Sequence, residues 1–286
     1  MFCIVIDIGA TNIRVIPSCD FAFDNSLIKK YRFVECMDIK DEADRCLYDR
    51  INEMIDIYGA PDALCLSFPG NTNREGTVIA WPNRQKWNGF PLGKYLFERY
   101  KCTVVIEDDA NCAAWGEYIA HLPESGNMAC ITLGSGVGCG LILNGSIYYG
   151  DNRHAGELGH TYIGSGEMCT CGNIGCVQSI AGGRAIEMKY GKTFTEISND
   201  ENFSDIYCDI VMSISRAMYN LVMLLDINMI IVGGGISDDA LASELNKYTD
   251  KLLEKFHRSV TVKKSLYGDN SGLYGALMML KKHFSV

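Results

Sequence analysis

Phe2-Cys3-Ile4-Val5-Ile6-Asp7-Ile8-Gly9-Ala10-Thr11-Asn12-Ile13-Arg14-Val15-Ile16 is an apolar run that ends at Asp7-Ile8-Gly9 and resumes at Ile13. It predicts two strands joined by a tight turn. Gly9 lets the backbone turn sharply and approach a ligand closely. Thr11 adds a hydroxyl donor, and successive N–H groups of such a turn form an anion-binding concavity. Asp7, at the strand end, is placed to hold a water of a Mg²⁺ shell, since Mg²⁺ keeps most of its waters. A plain hairpin turn accounts for the same residues, so this corner alone does not decide the chemistry.

A second corner, Leu133-Gly134-Ser135-Gly136-Val137-Gly138-Cys139-Gly140, joins predicted strands over 128–133 and 138–143. It is not the dinucleotide fingerprint, because Cys139 stands where the third glycine is needed and a strand comes next instead of a helix. Nor is there a phosphate loop of the Gly-x4-Gly-Lys-Thr type: Gly191-Lys192-Thr193 has Ile186 where the first glycine belongs. A third glycine site, Gly233-Gly234-Gly235, lies between a predicted strand over 229–232 and a helix over 239–256. There a flat ligand could lie on bare backbone, or the glycines could simply turn the chain. Further strands are predicted over 27–36, 63–68 and 103–106, and helices over 41–58, 110–121, 203–225 and 272–283. Two α/β halves, each opening with strand, glycine turn and strand, suggest a duplicated architecture with a cleft between lobes.

The bulk properties narrow the function. A chain of 286 residues fits two lobes of moderate size. Its net charge of −9 argues against a nucleic-acid partner, which needs clustered Lys and Arg. The residues from Met1 to Asp7 have no basic segment or small-residue cleavage site and read as a strand. The most apolar stretch, 218–232, is interrupted by Asn220, Asp226 and Asn228, too polar for a membrane span. These features predict a cytoplasmic protein with no membrane partner. Of the 13 cysteines, ten are scattered among apolar residues, such as Cys65 and Cys130, and are expected to be buried in a reducing compartment.

The other three cysteines form a cluster. His160 precedes Cys169-Thr170-Cys171-Gly172-Asn173-Ile174-Gly175-Cys176. Three thiolates and one imidazole suit a closed, tetrahedral, structural Zn²⁺ site. Redox pairing of the cysteines is the competing reading.

A strand-end carboxylate, a mid-chain phosphate hairpin and a late glycine triplet, in that order, resemble the actin-like ATPase (ribonuclease H-like) fold, which clamps ATP between two lobes. The expected lobes are 1–108 with 268–286, and 109–267 carrying the zinc loop. Gly156-Glu157-Leu158-Gly159-His160 with the Cys-x-Cys-Gly-x-x-Gly-Cys loop after it resembles the signature of the ROK family of bacterial sugar kinases and sugar-responsive repressors. The resemblance runs through Asp7–Arg14, Pro69-Gly70, the stretch 83–87, Asp109-Ala110-Asn111, the Gly134 hairpin, the Gly233 triplet and 272–276.

It implies an ATP-dependent hexose kinase acting at the 6-hydroxyl of an aldohexose such as glucose or D-allose. Asp109 would be the general base. Gly70, Asn83, Asp108, Glu157, His160 and Gln178 would bind the sugar. Asp7, Gly9, Thr11, Gly134, Ser135, Gly136, Gly233, Gly234 and Gly235 would handle ATP and its Mg²⁺. Zinc, on His160, Cys169, Cys171 and Cys176, would orient the sugar loop, and two copies would form a homodimer. Asp109 also comes just after a predicted strand and starts a helix, where a carboxylate can face a cleft and serve phosphoryl transfer, or simply favour the helix dipole.

Two positions depart from the family pattern. Asp108 replaces the usual Asn, and Gln178 replaces the usual Glu. The exchange keeps the formal charge but rearranges donors and acceptors, which leaves the sugar open. Fructose, an N-acetylated aminohexose or a β-glucoside are alternatives. Trp81, Trp87, Tyr148 and Tyr149 are either surface-loop packing or an aromatic platform under a larger sugar. A sugar-responsive regulator without catalysis is the rival function.

Overall fold

The structure is a computed structural model that describes residues 1–9, 12–32, 40–81, 84–164 and 167–284. Its elements in chain order begin with β1 (Phe2–Ile8), β2 (Asn12–Cys19), β3 (Lys29–Arg32), α1 (Lys40–Tyr58), β4 (Ala63–Phe68), β5 (Asn71–Thr72), β6 (Val78–Ala80), α2 (Leu92–Tyr100), β7 (Thr103–Asp108) and α3 (Asp109–His121). They continue with β8 (Met128–Leu133), β9 (Val137–Leu143), β10 (Ser146–Ile147), α4 (Gln178–Ala181), α5 (Gly183–Tyr190), α6 (Phe194–Ser198), α7 (Ser204–Leu225), β11 (Met229–Gly233), α8 (Asp239–Leu253), β12 (Thr261–Lys264) and α9 (Ser271–Phe284). Two compact units result: Met1–Gly116 with Gly272–Val286, and Glu117–Ser271.

The first unit is built on a sheet of order β3-β2-β1-β4-β7, the second on a sheet of order β10-β9-β8-β11-β12. In each, the first three strands are antiparallel and the last two join in parallel. The registers correspond as well. Ile8 faces Ile13 where the first corner closes, and Leu133 faces Val137 where the second does. Asp7 faces Ser67 across the parallel pair, as Thr132 faces Gly233. The duplication expected from the two glycine corners is thus present strand for strand.

β1 is buried on both faces, as a central strand with helices on each side must be. Ile4, Ile6 and Ile8 join Leu47, Ile51 and Met54 of α1 and Leu92 and Leu96 of α2 in one core. On the other face Cys65 donates a thiol hydrogen bond to the Ala276 carbonyl of α9, at 3.2 Å. Trp81 and Trp87 are 1% and 2% exposed and belong to the α1 side of this core. Trp81 meets Phe68 edge-on at 4.7 Å and Trp87 at 5.2 Å. Both are interior packing, which corrects the expectation of a surface loop or a sugar platform. Tyr148 is exposed, and Tyr149 lies under the Arg153 guanidinium.

In the second unit α7 supplies Ile210, Val211, Ile214, Met218 and Val222 to the core. Among the described residues the span Glu201–Leu225 is long and apolar enough to cross a membrane, yet half of its most apolar 18 residues are buried inside the structure. Edge strand β12 is shielded by α8: Asn246 and Asp250 accept the N–H groups of Val262 and Val260. The loop from β12 to α9 is organised by Glu117, a fully buried carboxylate. It accepts from Ser265 Oγ at 2.5 Å, Ser271 Oγ at 2.9 Å and the N–H groups of Leu266 and Tyr267. A buried carboxylate is tolerated only with such complete pairing.

Several elements differ from expectation. α2 and β12 have no counterpart among the expected elements. The strand expected over 27–36 starts only at Lys29, because Asp24 caps a 3₁₀ turn over Asn25–Leu27; it is described over Lys29–Arg32, and residues 33–36 lie outside the described residues. The helix expected over 239–256 is α-helical to Leu253 and ends in a 3₁₀ turn. Cys19 and Cys208 are exposed, while Cys65 and Cys130 are buried, their thiols pushed above the ordinary range by desolvation.

α9 and α3 meet at a glycine: a Cβ on Gly275 would enter the Cys112 carbonyl. An open helical glycine replaced by alanine gains about 0.5–1 kcal/mol. Gly275→Ala is expected instead to lose about 1–3 kcal/mol through overpacking, read as a lower midpoint in urea unfolding.

Candidate functional site

In the first unit the chemistry gathers at the ends of β1 and β7. Asp7 Oδ1 accepts from Ser67 Oγ at 2.6 Å, and Asp7 Oδ2 from Arg14 Nη1 at 3.1 Å. The first turn of α9 stands over this carboxylate. A Cβ on Gly272 would lie 2.7 Å from Asp7 Oδ1, so only glycine brings the helix amino end, with its partial positive charge, so near. The N–H of Gly9 donates to the Asn12 carbonyl at 2.8 Å, closing the turn; Thr11 lies outside the described residues.

Asp108 is the N-cap of α3. Its Oδ1 accepts the N–H groups of Ala110 at 3.0 Å and Asn111 at 3.1 Å. Asp109 is therefore the first residue of the helix, its backbone fixed from both sides. Beneath them lies buried Glu107, which the sequence reading did not single out. Its Oε1 accepts from the Asp108 N–H at 3.0 Å and from Asn111 Nδ2 at 3.1 Å. An Asn at 108 would cap as well as an Asp, so the family's exchange at this position spares the helix and alters only the second side-chain atom. Gly70 comes just after β4. A Cβ there would lie 2.6 Å from the Ala80 carbonyl, so β6 dictates its size. Asn83 lies outside the described residues.

In the second unit everything converges on the β8–β9 corner. Gly156 and Gly159 lie across β9, where a Cβ would enter the carbonyls of Cys139 and Val137. That contact fixes Glu157, which is exposed, and His160 beside the strand. The N–H groups of Gly183 and Arg184, at the start of α5, donate to the carbonyls of Gly134 at 2.8 Å and Ser135 at 3.0 Å. Gly234 has φ +91°, and a Cβ there would enter the Leu133 carbonyl. Gly233 abuts Ser265, and Gly235 lies near Asp269. Gln178 opens α4. Its Oε1 accepts the Val137 N–H at 3.1 Å, and its Nε2 donates to Thr170 Oγ1 at 3.2 Å.

His160, Cys169, Cys171 and Cys176 bring one ligand atom each to within 4.8 Å of one another. Cys169 Sγ lies 3.5 Å from His160 Nδ1, and Cys171 Sγ lies 3.7 Å from Cys176 Sγ. Tetrahedral Zn²⁺, with Zn–S about 2.3 Å and Zn–N about 2.0–2.1 Å, sets those edges near ~3.6 and ~3.8 Å. The donor set therefore fits the ion, and the described cysteines are free of disulfides. With Nδ1 turned to the thiols, the other ring nitrogen of His160 lies outside the ligand set. The Asn173 N–H holds the Cys171 thiol below the ordinary range, whereas burial and the neighbouring thiols push Cys176 up to about 12. A bound cation would displace these protons.

Comparison with known proteins decides the family. The chain matches the ROK family over residues 3–283. It belongs to that family. This ROK chain is 30% identical to the N-acetylmannosamine kinase of Vibrio cholerae, over 98% of its own length and 99% of the relative's. It is 28% identical to the N-acetyl-D-glucosamine kinase of Yersinia pseudotuberculosis, over 80% of its length and 84% of the relative's. A ROK glucokinase from Streptomyces griseus, solved with glucose and AMPPNP, superposes with a TM-score of 0.80 at 22% identity, covering 99% of this chain and 100% of that one. The fold is the two-lobed, actin-like α/β fold expected from the glycine corners.

The capping geometry makes the role of Asp108 in the helix testable by itself. Asp108→Asn should leave stability within about 0.5 kcal/mol. Asp108→Ala, which removes the cap, should lose about 1 kcal/mol, measured by chemical denaturation.

Proposed function

We propose that this ROK chain moves the γ-phosphoryl group of ATP onto a hydroxyl, the 6-hydroxyl, of an N-acetylated 2-aminohexose. The observation that carries this reading is the similarity, over almost the whole chain, to a kinase of N-acetylmannosamine. The similarity to an N-acetyl-D-glucosamine kinase points the same way. These sugars move ahead of glucose and D-allose, which the signature residues alone favour.

The first unit supplies the base. Asp109 takes the proton of the attacking hydroxyl as its oxygen bonds to phosphorus, and ADP leaves with the electron pair of the broken bond. The N-cap of Asp108 and the hydrogen bonds of Glu107 keep Asp109 in place. Asp7 would hold the hydrated Mg²⁺ that accompanies ATP, an ion that would neutralise charge on the phosphates. Gly9 and Thr11 lie against the phosphates, and Gly70, Asn83 and Asp108 against the sugar. The second unit supplies Glu157 and His160 to sugar hydroxyls, and the corner at Gly134, Ser135 and Gly136 with the triplet at Gly233, Gly234 and Gly235 to the nucleotide. His160, Cys169, Cys171 and Cys176 would hold a structural Zn²⁺, which would fix the orientation of the His160 ring.

An ADP-release assay across N-acetylmannosamine, N-acetylglucosamine, glucose, allose, mannose, fructose and cellobiose tests the reading. An acetamido sugar should give the highest kcat/KM. No ADP release with any sugar would instead indicate a sugar-responsive protein without catalysis. Asp109→Asn should lower kcat on the best sugar by roughly a hundredfold or more while sugar binding persists. Near-normal turnover in that variant would remove Asp109 from the mechanism.

Metal analysis of untagged protein should give close to one Zn²⁺ per chain. Cys171→Ser should lose the metal and lower the melting temperature, because structural zinc contributes folding energy. A metal-free wild-type protein that melts at the same temperature would rule the assignment out.

A further inference from the structure

Gln178 joins two parts of the second unit that the proposed function keeps separate. Its backbone lies two residues beyond the ligand Cys176, and its Nε2 donates to Thr170, which sits between the ligands Cys169 and Cys171. Its Oε1 holds the Val137 N–H, the first donor of β9 after the glycine corner. Val137 is buried, so no solvent replaces that acceptor readily. Gly136 makes room for the contact: a Cβ there would stand 2.5 Å from Gln178 Oε1. The same corner is braced from α5 through Gly134 and Ser135, and α5 continues directly from α4 through Gly182.

We propose that Gln178 is a positioning residue through which the metal-binding loop sets the geometry of the phosphate corner, so that metal loading controls nucleotide affinity. A bound cation fixes Thr170 and Cys176 and thereby the Gln178 amide. The amide in turn fixes the Val137 N–H and the turn before it. Without the cation the amide loses its anchor at Thr170, and the corner loosens. The nucleotide half of this statement rests on the proposed function of the corner; the mechanical half does not.

Hydrogen exchange of the 133–139 segment reports the mechanical half, and calorimetric titration with Mg·AMPPNP the nucleotide half. In the zinc-loaded wild type, removal of zinc by a chelator should speed exchange over 133–139 and weaken AMPPNP about tenfold, the scale of one hydrogen bond. Exchange over 63–68, in the other unit, should stay unchanged. Gln178→Met with its zinc retained should show both changes, and chelation should then add little. Gln178→Glu keeps an acceptor for Val137 and should keep the segment protected. Were Gln178→Met unable to fold, Thr170→Val decides, since it should uncouple exchange over 133–139 from chelation. The proposal is overturned by a zinc-loaded Gln178→Met with wild-type exchange and affinity, or by chelation acting equally on Thr170→Val and wild type. A wild type that shows the exchange response but binds no AMPPNP would overturn the assignment of the corner to phosphate and leave the coupling standing.

Discussion

Leu133, Gly134, Ser135, Val137 and Cys139 present backbone carbonyls at the end of a hairpin, and each of them meets another segment of chain. The late glycine triplet rests on the first, the start of α5 donates to the next two, and the Gly-Glu-Leu-Gly-His stretch crosses the last two. Buried carbonyls must be hydrogen-bonded, and the segments that lie over these ones come too close for a side chain. That requirement brings together motifs distant in sequence. It also explains why they are glycine-rich in a unit whose core is otherwise made of Ile, Leu and Val: a methyl group at 156, 159, 183 or 234 would push its segment off the hairpin.

The first unit repeats the topology but uses it differently. Where Thr132 stands in the second sheet, the first has Asp7, held by Ser67 and Arg14 beneath the amino end of α9. One corner thus carries fixed charge and the other bare backbone. The exchange at Asp108 and Gln178 obeys the same division. At 108 the shared oxygen caps a helix and only the second atom is altered. At 178 both amide atoms are engaged within the protein, one toward the hairpin and one toward the cysteine loop. The two positions balance in formal charge; the hydrogen bonds show them in unrelated roles.

Much of this was legible in the residues. Continuous apolar runs at 2–8, 63–68 and 128–133 are central strands, and the clustering of three cysteines after His160 reflects real proximity. α2 escaped because only Leu92 and Leu96 of its nine residues are buried, too few to show a period. β12 escaped because an edge strand of four residues buries only Val262. Nothing in the sequence marks Glu107 or Glu117 as buried; the donors that satisfy Glu117 lie about 150 positions away, while those of Glu107 are local, on Asp108 and Asn111. Trp81 and Trp87, flanked by Pro82 and Asn88, have the local composition of a loop, and only the packing of Phe68 and β6 makes them interior.

The placement of these indoles has a spectroscopic side. The chain has three tryptophans, Trp81, Trp87 and Trp115, and all of them are buried in the first unit. Indole emission therefore reports mainly on that half of the molecule, with Trp115 in α3 just before the boundary at Gly116. Loss of structure confined to α7 and the cysteine loop would register in circular dichroism with little change in the fluorescence of Trp81 and Trp87. The two signals together separate the unfolding of one duplicated half from that of the other without any label.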